Sequence, residues 1–146
     1  MNKRRVDSYI DIAAEALQQT GIADNNGRVR KGYRGQISTF GAAVINGSLK
    51  SAIAFYSNIE NSSDYKRTYL MKAICYVIKV DPSKTSAMQY DDTALYKYVV
   101  SDATDETLLS KKENITDAAI ALKLAMNLFE LCDDNGTGQD TDQQEE

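Results

Sequence analysis

Residues 33–57, YRGQISTFGAAVINGSLKSAIAFYS, decide the reading of the fold. Ile37, Phe40/Gly41 and Val44/Ile45 recur at three- and four-residue steps and predict one helix; Leu49, Ala52/Ile53 and Tyr56 predict a second. Between them, Asn46-Gly47 suits a left-handed helix end, and Ser48 can cap the helix that follows. Gly35, Ser38/Thr39 and Ala42/Ala43 add small residues at the same spacing, with Gly41 beside Ser38. Small side chains in that register let another backbone come close, so the first helix is expected to be pressed between neighbours.

The same period runs outward through the chain. Val6, Tyr9/Ile10, Ala13 and Leu17 form an apolar stripe ending near Thr20-Gly21, and residues 23–28 read as a loop. Asp64 fits the cap of a helix bearing Leu70, Ala73/Ile74 and Val77/Ile78. It closes before Asp81-Pro82, because the residue before a proline is pushed out of helical geometry. Residues 90–100 form a shorter helix and residues 104–132 a long one. The long helix carries Ile115, Ala119, Leu122, Met126 and Phe129 on one stripe and Ile120, Leu124, Leu128 and Leu131 on another. A helix apolar on both sides is either central or also faces a partner. Val80 and Val99-Val100 are too isolated to build a sheet. The expectation is an all-α protein: a compact bundle of five to six helices with no significant sheet. A single helical domain spans residues 1–132, and residues 133–146, DDNGTGQDTDQQEE, form a disordered acidic tail without one apolar residue.

Charge is divided unevenly. Residues 1–80 hold 12 Lys+Arg against 6 Asp+Glu, and residues 81–146 hold 5 against 15. Residues 25–59 contain no acid at all, yet carry Arg28, Arg30, Lys31, Arg34 and Lys50. Basic fronts of this kind meet phosphates, although solvated helix faces produce them as well. The two cysteines sit in apolar helical pattern and read as free, buried thiols. With no histidine and no thiol in a polar setting, no nucleophile–base pair or zinc set is present, so neither an enzyme nor a metal site is expected, and no cofactor. Gly32-x-x-Gly35 lacks the lysine and parent strand of a phosphate loop. The tail lacks the bidentate glutamate of a calcium loop. The basic N-terminus is followed by no unbroken apolar stretch, so no export and no membrane contact are expected, and the protein is placed in the cytoplasm.

Two functional readings remain. A helix–Asn-Gly–helix unit with a basic flank fits a stand-alone helix-turn-helix DNA-binding regulator, but its second helix, Leu49-Lys50-Ser51-Ala52-Ile53-Ala54-Phe55-Tyr56, is mostly apolar and belongs in a core. The other reading comes from a likeness. From Arg34-Gly35-Gln36-Ile37-Ser38-Thr39-Phe40-Gly41-Ala42-Ala43 through Asn46-Gly47-Ser48-Leu49 to Ala52-Ile53-Ala54-Phe55-Tyr56, the stretch resembles the signature of the small all-helical subunit of the type III-B CRISPR Cmr complex, the fifth Cmr protein family. Thr39 stands where that pattern has a second serine, and Ser48 is an extra residue in the turn. The likeness is looser over residues 67–78 and 118–131, and residues 101–114 and the tail match nothing in it.

The resemblance implies a non-catalytic subunit that lines up in several copies as a minor filament along the guide RNA–target RNA duplex. Its partners would be other Cmr subunits, the backbone subunit among them, and neighbouring copies of itself. On that reading Arg28, Arg30, Lys31, Arg34 and Lys50 contact phosphates, with Lys66 and Arg67 as further candidates. Asp102, Asp105, Glu106, Ile120, Leu124 and Leu128 are candidates for contact between copies. The bland alternative for the apolar stripe is simple core packing.

Overall fold

The first helix, α1 (Lys3–Thr20), is fixed at both ends by its own sequence. The Asn2 side chain accepts a hydrogen bond from the Arg5 backbone N–H (3.0 Å), and Gly21 closes the helix at φ 79°, a left-handed turn that glycine adopts without cost. The computed structural model describes residues 1–58, 65–101 and 104–133. Five further helices follow: α2 (Lys31–Asn46), α3 (Leu49–Tyr56), α4 (Arg67–Ile78), α5 (Ala94–Val100) and α6 (Asp105–Ala125). The protein is all-α, as its periodicity requires. No helix among the described residues is long and apolar enough to cross a membrane.

One small element departs from that pattern. Residues 23–28 are not a loop throughout. Asp24 Oδ1 accepts the N–H groups of Asn26 and Arg28 (both 2.9 Å), turning the chain into a three-residue strand, β1 (Arg28–Arg30). It pairs in parallel with β2 (Glu130–Cys132), in the register Arg28 to Glu130, Val29 to Leu131 and Arg30 to Cys132. The long final helix therefore stops early. After Ala125 it tightens through a 3-10 turn, Met126–Leu128, and becomes extended. Backbone groups that a helix would have satisfied are taken up by the ladder with β1, which buries Val29 completely. Cys132 consequently lies on a strand, half-buried, while Cys75 is buried on α4, and both are free. Burial pushes the Cys75 thiol up to about 12, which keeps it protonated and unreactive.

The core forms around α6, which packs against α1, α2 and α4. Its C-terminal half buries Ile115, Ala118, Ala119, Ala121, Leu122 and Ala125, and α1 contributes Val6, Ala13, Ala16 and Leu17. The predicted outer stripe divides: Ile120 and Leu131 pack half-buried against the core, whereas Leu124 and Leu128 are exposed. The small-residue stripe of α2 is not pressed between neighbours. Gly35, Thr39 and Ala42 are exposed, and a Cβ built on Gly35 or Gly41 would meet only open space. The reason is that Tyr33, Ile37, Phe40 and Val44 supply the buried face, leaving the small residues to the outside. Gly47 does not take the predicted left-handed cap either (φ −128°, ψ −127°). Its glycine is explained by closeness, since a Cβ there would lie 2.9 Å from the Ala43 carbonyl oxygen. Ser48 caps α3 as expected, accepting from the Ser51 N–H (3.3 Å). The predicted cap at Asp64, the interface candidate Asp102 and tail residues 134–146 lie outside the described residues.

Candidate nucleic-acid interface

The seven candidate cations separate into two sets. Arg28, on β1, pairs with Glu130 on β2 (3.5 Å), and Lys31, the first residue of α2, pairs with Asp133 (3.8 Å). The sequence pattern sets Arg28 in a loop; the strand pairing instead sets it and Lys31 beside acids from late in the chain. The same holds for the uneven charge in general. Of five ion pairs among the described residues, four join the basic first 80 residues to the acidic remainder: Arg5–Asp117, Arg28–Glu130, Lys31–Asp133 and Lys72–Asp92. Part of the asymmetry is thus used inside the fold.

The second set runs from Arg30 at the end of β1 through α2 and α3 to the start of α4. The Arg30 guanidinium carbon sits 4.4 Å from the centroid of the Tyr65 ring and 5.5 Å from that of Tyr33, whose rings meet edge to face. The Lys66 N–H donates to the Tyr33 hydroxyl (3.0 Å), tying the entry of α4 to α2. Gly32 makes room for this cluster, because any Cβ there would overlap the Tyr65 ring. Close packing on a tyrosine, with no phosphate loop, is therefore sufficient reason for that glycine. One helical turn along, Arg67 Nε donates to Gln36 Oε1 (2.8 Å), and its guanidinium lies 5.2 Å from the Phe55 centroid and 5.6 Å from that of Tyr56. The Tyr56 hydroxyl donates to the Gln36 carbonyl (2.9 Å), so the ring, the amide and the guanidinium hold one another in place.

Lys50 and Lys66 are exposed, with no ion pair among the described residues. Lys50 stands in the first turn of α3, where the helix dipole disfavours a cation and a bound anion would compensate. Arg34 is half-buried, and its Nε is shielded from solvent without a hydrogen-bond partner. Among the partner-contact candidates, Asp105 and Glu106 occupy the exposed first turn of α6, where carboxylates complement the helix dipole without any partner.

Between α2 and α3 runs a groove of about 580 Å³. Gln36, Thr39, Ala43 and Asn46 form its α2 wall, Ser48, Ser51, Ala52, Phe55 and Tyr56 its α3 wall, and Arg67 closes one end. Among the described residues, no carboxylate lines it. The sequence pattern puts Phe55 in the core; it is 56% exposed, since Ala52, Ile53 and Tyr56 already fill the inward face of α3. Nothing local in the sequence signals the partnership of Arg67 with Phe55 and Gln36, which stand far from it in the chain. Comparison with protein-family models, with curated proteins and with solved structures finds no match to this chain.

Proposed function

We propose that this chain is the small, non-catalytic subunit of a type III-B CRISPR Cmr complex, working in the cytoplasm, and that its α2–α3 face meets the phosphates of the guide RNA–target RNA duplex. The observation that carries the reading is a groove with Arg67 in its lining and no carboxylate among the described residues that line it, formed mostly by the stretch that bears the resemblance, while Lys50 on α3 and Lys66 before α4 are exposed. A surface of that kind suits a phosphate-lined channel, in which a stray Asp or Glu would repel the duplex. The exposed small residues of α2 beside it allow a sugar–phosphate backbone to approach closely. Phosphate contacts carry no sequence information, so target choice rests on guide pairing alone. Other Cmr subunits and neighbouring copies are the partners in this reading. Leu124 and Leu128, two of the exposed large apolar side chains, serve those contacts in this reading, together with Asp105 and Glu106.

Co-purification tests the assignment. The full-length chain, tagged and expressed in cells that hold a type III-B locus, should bring down the Cmr backbone subunit together with guide RNA. Recovery alone, or sequence-specific retention of duplex DNA, would favour the stand-alone regulator.

A further inference from the structure

We infer that the α2–α3 groove holds a single unpaired base of an RNA strand, stacked on the Phe55 ring, with its phosphate on Arg67; this rests on the RNA-binding reading above. Two features of the groove point to a base rather than to an amphipathic helix. Its apolar surface comes from aromatic rings and alanine, and no Leu, Ile, Val or Met among the described residues lines it. A groove that takes an amphipathic helix presents a continuous hydrophobic floor to a row of anchor side chains instead. Its charge is also complementary to an anion, with the Arg67 cation in the lining and no acid among the described residues there.

The parts match the needs of a nucleotide. Phe55 is mostly exposed although large and apolar, and stacking on such a ring tolerates any base because every base has a π-face. Arg67 is held by its Nε bond to Gln36 and by the two rings, which leaves its terminal nitrogens for phosphate oxygens. Thr39, Asn46, Ser48 and Ser51 supply hydroxyl and amide groups for base edges or ribose, and a volume of about 580 Å³ falls in the usual range for small-ligand sites.

The test uses the full-length chain and a single-stranded oligoribonucleotide carrying 2-aminopurine. Binding by the wild type should quench the fluorophore. Phe55→Ala should weaken binding about tenfold, the effect of removing one stacked base, and abolish the quench without changing the salt slope, since stacking releases no counterions. Phe55→Leu, which keeps apolar bulk but has no π-face, should behave like Phe55→Ala, and Phe55→Tyr like the wild type. If Phe55→Ala keeps wild-type affinity and quench while binding stays salt-dependent, the base site is wrong and the RNA reading survives. If Phe55→Leu binds as the wild type does, the contact is apolar rather than stacked, and the inference falls. If Phe55→Ala releases a Cmr protein but keeps its RNA affinity, the groove is a protein dock and the inference also falls. With no salt-dependent RNA binding at all, both readings fail together.

Discussion

Asp117 is 2% exposed and accepts from Arg5 Nη1 at 3.0 Å and from the Asn2 N–H at 3.4 Å, so a carboxylate on α6 anchors the start of α1. The two partners are unequal, because Arg5 remains 31% exposed. Removing Asp117 leaves a cation that water can reach; removing Arg5 leaves a buried, unpaired charge. Arg5→Ala should therefore cost about 3 kcal/mol and Asp117→Asn only about 1, as read by chemical denaturation. Equal costs would mean that the pair is not buried as described. Neither residue is legible as special in the sequence. In a chain with 21 acids, a single buried carboxylate has no local signature, and its burial follows from the distant packing of α1 on α6.

Elements are legible where a repeating period builds them. Five of the six helices have apolar residues at helical spacing over two turns or more, and Ser48 and Gly21 mark ends that their side chains or backbone freedom fix. The β1–β2 ribbon escapes because three residues are too few to show a period of two, and because its partner strand lies about a hundred residues away. That omission also conceals the environment of Arg28 and Lys31. Exposed pairs such as Arg28–Glu130 and Lys31–Asp133 contribute about 0–1 kcal/mol, so a phosphate can displace them. Replacing both Glu130 and Asp133 by Ala should change stability by less than about 1 kcal/mol. It should also strengthen RNA binding and steepen its salt dependence if Arg28 and Lys31 reach the duplex. Unchanged RNA affinity in that variant would restrict the interface to α2, α3 and α4.

For the whole molecule, the basic front and acidic back are joined in part within the fold, by four ion pairs. Lys50, Lys66 and Arg67 have no ion pair among the described residues, and Arg67 lines the groove that no described carboxylate enters. The sequence shows which segment lacks acids; the packing of α2, α3 and α4 adds Lys66 and Arg67, from beyond that segment, to Lys50 within it. The direct test is the salt dependence of binding to a guide–target RNA duplex by the full-length chain and by a Lys50→Ala, Lys66→Ala, Arg67→Ala variant. Every phosphate that a cation ceases to neutralise lowers the slope of log affinity against log salt by roughly 0.7–0.9. The account predicts weaker binding and a slope smaller by about 2, with helical content unchanged by circular dichroism. A folded variant with wild-type affinity and wild-type slope would contradict it.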